Sequence, residues 1–146
     1  MPILRVAHIG LVLGCVLLLA ACTFPRDPRG TTQAVINRGT VITGLVASAE
    51  GLSDARELAD DVAKDIGVEL EVTSGTAEDL LRGLERGRFD MVIGEFAANS
   101  PWSERVVFVG PDPNNVTSDF PTLRAAVRKG ENRWLARVEA VAREHS

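Results

Sequence analysis

Few side chains in this sequence could do covalent chemistry, and their spacing narrows the choices. Its 146 residues hold two cysteines, two histidines and no tyrosine. Cys15 sits inside an apolar run from Ile9 to Ala21, and Cys22 closes that run directly after Leu19-Ala20-Ala21. His8 and His145 stand near the two ends, so the middle of the chain offers no imidazole as a base or a metal ligand. No serine stands in a Gly-x-Ser-x-Gly frame, and the glycine spacings that cradle phosphates are missing. Adjacent carboxylates such as Asp60 and Asp61 are consecutive on a helical stretch and point to different sides. No catalytic residue, metal site, cofactor or enzymatic activity is therefore expected. The reactive group with a distinctive context is the Cys22 thiol.

The run before it spans 13 residues, apolar apart from glycine and Cys15. At about 1.5 Å per helical residue it reaches roughly 20 Å, short of the ~30 Å hydrocarbon core that a spanning helix must cross. With Arg5 and His8 ahead of it, it reads as a cleaved signal peptide over residues 1–21. The order of charged start, apolar stretch, leucine, two alanines and cysteine resembles the lipobox of bacterial lipoproteins; an ordinary secretory signal with a chance cysteine is the alternative. The resemblance implies cleavage before Cys22, acylation of its sulfur by palmitate-like chains and of its new amine, and a membrane as partner. Each buried lipid methylene contributes ~0.8 kcal/mol, so several chains hold a protein at a membrane almost permanently. It also implies an address in the bacterial envelope. With Thr23 rather than an aspartate after the cysteine, that is the periplasmic face of the outer membrane in a two-membrane cell, or the outer face of the cell membrane otherwise.

Removal of residues 1–21 leaves 125 residues, enough for one compact domain. The chain's charge of −4 becomes about −5 without Arg5, and along the sequence the cations are scattered among carboxylates, which excludes a nucleic-acid surface. From Cys22 to Gln33 the chain is rich in proline, glycine and threonine and reads as a flexible tether, leaving residues 34–146 as the domain.

Strand and helix patterns alternate through that domain. Thr40 to Val46 is a β-branched apolar strand, followed by a helix from Asp54, capped by Ser53, to Ile66 with Leu58 and Val62 on one side and Gly67 as its stop. A strand at Val68 to Thr73 precedes a helix opened by Thr76 and Asp79, with Leu80, Leu81 and Leu84 facing inward. Strands at Phe89 to Gly94, Arg105 to Val109 and Ala125 to Arg128 lead to a last helix from Glu131 to about Glu144, with Trp134, Leu135, Val138 and Val141 in its apolar stripe. The pattern predicts an α/β domain with a mostly parallel five-stranded sheet between helices, ligands sitting at the carboxyl ends of its strands.

The stretch from Leu58 through Pro111 carries Ile66-Gly67-Val68, a leucine helix, Gly87-x-Phe89-Asp90-x-x-Ile93-Gly94 and Arg105-Val106-x-Phe108. It resembles the first lobe of bacterial extracellular solute-binding proteins of family 3, which serve polar amino-acid ABC transporters, and the C-terminal AAVRKGENRWLARVEAVAREH resembles their closing strand and helix. The resemblance implies one lobe of the type 2 periplasmic-binding-protein fold. Two-lobed members place their second lobe between the Pro111 region and the closing strand, where this sequence has about a dozen residues. Counting back six from Phe108, the arginine that grips the ligand's α-carboxylate in amino-acid binders is Trp102 here, and the hydroxyl positions are Ala97 and Asn99. Transfer of amino-acid binding residue by residue therefore fails.

Candidate contacts with a small polar solute or a protein partner are Ser48, Glu57, Ser74, Glu95, Asn99 and Trp102. Each has an ordinary reading too. Glu57 shares the start of a helix with Glu50 and Asp54, where carboxylates favour the positive dipole end. Glu95 fits a solvated loop, and Trp102 fits a hydrophobic plug as well as an exposed contact. Asp90 reads as a brace for backbone amides. Two functions remain: a transport-associated binding lipoprotein, or an interaction or sensor module that keeps the lobe as a scaffold without a small ligand.

Overall fold

A computed structural model describes residues 27–47, 51–110 and 121–144; Cys22, Ser48 and both histidines lie outside them. The elements are α1 (Thr31–Arg38), β1 (Thr40–Val46), α2 (Leu52–Ile66), β2 (Glu69–Gly75), α3 (Ala77–Glu85), β3 (Met91–Phe96), a 3₁₀ turn (Pro101–Glu104), β4 (Val106–Val109), β5 (Thr122–Arg128) and α4 (Asn132–Glu144).

The five strands lie in the order β2-β1-β3-β5-β4. β1 runs parallel to β2 and β3, whereas β5 runs antiparallel to both its neighbours, so four strands point one way and one against them. The sheet is mixed, with four strands running one way as a mostly parallel sheet requires and β5 reversed. Helical crossovers join β1, β2 and β3, but β4 and β5 are consecutive and adjacent, and a strand returning beside its predecessor runs antiparallel.

Strict alternation along the strands divides the apolar side chains between two layers. Val41, Leu45, Met91, Ile93 and Val127 pack with Leu58 and Val62 of α2 and with Trp134 and Val138 of α4. On the opposite face Val92, Phe96, Val106 and Ala126 meet Leu80, Leu81 and Leu84 of α3. The result is a three-layer α/β lobe. Gly44 shows how close α3 comes: a Cβ there would stand 3.0 Å from Leu80 Cδ2. Gly67 closes α2 with φ 75° and donates to Ala63 O and Lys64 O, a left-handed cap that glycine adopts without a Cβ clash.

Residues 27–33, expected in the tether, belong to the fold. The Asp27 carboxylate accepts from Arg133 N (2.8 Å) and Trp134 N (3.1 Å), which caps α4, and from Thr32 N (3.1 Å) and the Thr32 hydroxyl, which caps α1. Burial works against its ionisation, but these donors prevail and hold the Asp27 carboxyl below its ordinary value. Glu131, 1 % exposed, accepts from Arg29 N (2.9 Å), Thr31 N (3.0 Å) and Thr31 Oγ1 (2.6 Å). Buried Arg128 donates to Phe89 O, Leu84 O and Thr31 Oγ1. Helix α1 therefore stands on carboxylates supplied by residues outside it, while its own sequence gives the apolar core little beyond Val35. Every buried residue described lies between Thr31 and Ala142, so the chain after Cys22 holds both apolar layers.

Candidate functional site

The parallel strands β1, β2 and β3 bring their carboxyl ends to one edge of the lobe. Three connections leave from there. Ala47 N donates to Gly75 O at 3.1 Å, tying the exits of β1 and β2 together. Thr76 then caps α3, its hydroxyl accepting from Asp79 N at 3.2 Å, as its spacing predicts. Helix α2 begins at Leu52 after Gly51, with no side-chain cap, so the expected Ser53 cap is replaced by a glycine two residues earlier.

Glu95 stands at this edge with an exposed side chain lying against Gly51: a Cβ on that glycine would be 3.2 Å from Glu95 Cδ. A carboxylate so placed meets the positive end of the α2 dipole. By alternation Ser74 faces the same side of the sheet as Leu70 and Val72, is exposed, and is in register with Leu45. Asn99 is exposed in the turn after β3. Ser100 Oγ accepts from Trp102 N (3.4 Å) and opens the 3₁₀ turn.

Trp102 combines the two readings its sequence allowed. It is half-buried against the layer that contains α3, and the guanidinium of Arg105 lies 5.6 Å from its ring centroid. Nearby in that layer, Phe96 and Phe108 pair with centroids 4.7 Å apart, and Arg124 sits 5.8 Å over Phe108. Arg124, opposite Gly94 in the β3–β5 register, is a cation at the ligand edge that the sequence reading missed. The missed signal is strand length, since β5 begins at Thr122 rather than Ala125.

Thus Ser74 and Glu95 share the side of α2, Trp102 stands on the side of α3, and Asn99 lies in the turn between. Glu57 is elsewhere: exposed on α2, six residues past Gly51, about 9 Å along the axis from the strand ends. Asp90 lies at the opposite edge. Its carboxylate accepts from Ile42 N (2.8 Å) and from Arg38, and Trp134 Nε1 donates to its carbonyl (2.9 Å). Burial raises the Asp90 carboxyl, against the lowering by Ile42 N–H and Arg38, so its role as a brace holds. Among the described residues no group of His, Cys, Asp and Glu could hold a metal ion, and no helix is long and apolar enough to cross a membrane.

Residues 50–145 match the model of the bacterial extracellular solute-binding proteins, family 3. The chain belongs to that family. The family is extracellular, so an address at the cell envelope follows, and so does a substrate-binding role. No curated protein sequence matches it.

Solved structures locate the family member more finely. A structure of domain 1 from TmArgBP, described as its arginine-bound form, is 26% identical with a TM-score of 0.64, and the match covers 76% of this chain and 97% of that one. Its Phe57Trp mutant matches at 24% identity, TM-score 0.65, over 77% and 96%. An amino-acid ABC transporter substrate-binding protein from Streptococcus pneumoniae, bound to L-arginine, is 10% identical with TM-score 0.65 over 78% and 91% and shares the fold. The family lobe described here thus has nearly the full extent of a single solute-binding domain.

Proposed function

We propose that this chain is a lipid-anchored solute-binding lobe that takes a small solute with a cationic group on the open edge formed by β1, β2, β3 and the turn through Trp102. In this reading it serves a transporter or another envelope protein. The observation that carries it is the arginine-bound domain 1 of TmArgBP, a lobe of the same extent at 26% identity. That lobe makes a two-walled cleft unnecessary for holding a ligand. Glu95, beside the start of α2, faces the cationic group; Ser48, Ser74 and Asn99 supply hydrogen bonds, and Trp102 supplies a ring to stack on. Trp102 also stands where amino-acid binders carry arginine. An arginine–carboxylate contact contributes about 1.5–3 kcal/mol. With it absent and one wall open to water, a standard amino acid binds more weakly than about 10 μM.

Thermal-shift titration of the chain from Cys22, with Cys22→Ser, against arginine, lysine, a diamine and glutamate tests this. A cationic solute at ten times its Kd adds about 1.4 kcal/mol of stability. The expected result is a saturable rise with the cationic solutes, none with glutamate, and loss of the rise in Glu95→Gln. No rise with any of them would leave the scaffold or sensor reading in its place.

A further inference from the structure

Cations that look scattered in the sequence are collected by the fold. Among the described residues seven exposed cations have a carboxylate within salt-bridge reach, for example Arg56 with Asp60 and Arg82 with Glu78. The other five exposed ones, Arg29, Arg86, Arg88, Lys129 and Arg133, have none. All five stand at the edge opposite the ligand loops. Arg29 Nη1 donates to Glu85 O at the end of α3, and Arg86 and Arg88 occupy the turn from α3 into β3. Lys129 follows β5 and donates to Glu104 O, and Arg133 opens α4 beside Asp27.

Carboxylates at this edge offset them only in part. Asp27, Asp90 and Glu131 keep their charge while accepting from helix ends and Ile42 N–H, with Arg38 and Arg128 beside them; Glu85 pairs with Arg105, and Glu104 and Glu69, at the foot of β2, are exposed, so eight cations stand against six carboxylates. The acidic surplus lies on other surfaces, α2 alone carrying five carboxylates against two cations. An overall charge of −4 therefore conceals a molecule with a basic pole. Helix α1 runs across the same pole, from Thr31 at Glu131 to Arg38 at Asp90, and presents Ile36, 45% exposed.

The chain enters the fold at this pole. Five residue steps separate Cys22 from Asp27, at most about 18 Å of extended chain. We infer that the basic pole formed by Arg29, Arg86, Arg88, Lys129 and Arg133 is a docking surface for anionic lipid headgroups, which sets the lobe upright with its ligand edge turned away from the membrane. The orientation rests on the lipid anchor proposed above; the headgroup affinity does not. An anchor at Cys22 brings these cations close to the surface potential of an anionic leaflet, which acts over a Debye length of about 8–10 Å.

The test uses the chain from Cys22 with Cys22→Ser, which carries both apolar layers and no acyl group, so it is independent of acylation. Its binding is measured by co-sedimentation with phosphatidylcholine vesicles and with vesicles containing phosphatidylglycerol. The expected result is binding to the phosphatidylglycerol vesicles alone, falling as salt is added. Each cation near the surface is worth roughly a five-fold change in partitioning, so Arg86→Glu/Arg88→Glu/Lys129→Glu, which removes three cations and adds three anions, lowers it by more than about a hundred-fold. Arg56→Glu/Arg124→Glu/Arg143→Glu makes the same change in net charge away from the pole and leaves most of the binding. Equal loss in the two triple variants, equal binding to both vesicles, or no binding to either at low salt would overturn the inference. Arg86→Gln/Lys129→Gln, expected to lower partitioning about twenty-five-fold, replaces the first variant if it does not fold. Acylation itself is read separately, from the mass of the protein extracted from cell membranes.

Discussion

Replacing Trp134 by alanine is expected to be among the most damaging single changes available to this lobe. The ring is fully buried between α4 and the sheet, and its Nε1 donates to the Asp90 carbonyl at 2.9 Å. Truncating a buried tryptophan to alanine costs about 3–5 kcal/mol through lost burial and the cavity left behind. An unpartnered carbonyl adds about 1–3 kcal/mol where water cannot reach it. The sum approaches or exceeds the stability of many domains, which is about 5–15 kcal/mol. Trp134→Phe keeps most of the apolar volume and removes the donor, and should cost roughly 2–3 kcal/mol. Trp102 is the internal control. Half-buried, with its backbone N donating to Ser100 Oγ, it should cost about 1–2 kcal/mol as Trp102→Ala. Urea unfolding of the three variants gives the stabilities, and iodide quenching of the remaining tryptophan in each alanine variant gives the exposure. If Trp102→Ala is the more destabilising, or if the Trp102 ring is the better shielded, the packing assigned to the two rings is wrong.

Other expectations follow from the same geometry. Asp27, with its carboxyl held below the ordinary 3.8, binds its proton less readily folded than unfolded. It therefore stabilises the fold above that pH, and the contribution is lost as pH falls through 3.8 and below. Asp90, raised by burial, works in the opposite sense, so the informative quantity is the difference between wild type and Asp27→Asn. That variant should lose less stability than wild type across this acid range, measured by urea unfolding; parallel curves would contradict the double cap. Gly94→Ala places a Cβ 2.6 Å from Val46 Cβ and should cost about 1–3 kcal/mol by overpacking, whereas a neutral result would show that β1 and β3 yield there. Cys22→Ala should stop lipid attachment, and equal incorporation of labelled palmitate into mutant and wild type would refute the anchor.

Local pattern made the helices α2 and α3 legible. The Leu58 and Val62 stripe and the Thr76 cap both appear where the spacing puts them, because each depends on residues within one or two turns. Helix α1 was illegible for the opposite reason. Thr31-Thr32-Gln33 reads as tether, and what makes it helical is Glu131 and Asp27 reaching in, the former from 100 residues away in sequence. The antiparallel placement of β5 was likewise hidden, since strand order is a matter of pairing rather than of periodicity. At the candidate site the sequence supplied Ser74, Glu95, Asn99 and Trp102. Their division between two sides of the sheet, the contact of Glu95 with Gly51 and the nearness of Arg124 to Phe108 needed coordinates. Charge behaved in the same way: cations spread from Arg29 to Arg133 in sequence converge at one pole in space.

The claim that matters most is that a single lobe takes a solute at the carboxyl ends of its parallel strands. Amide chemical-shift mapping of the labelled chain from Cys22, with Cys22→Ser, during titration with arginine tests it directly. Saturable shifts confined to Ala47, Ser74 to Thr76 and Glu95 to Trp102, with the amides of Arg29, Arg88 and Lys129 unmoved, are the predicted result. Shifts at the basic pole in place of the strand ends, or none at any arginine concentration, would contradict it.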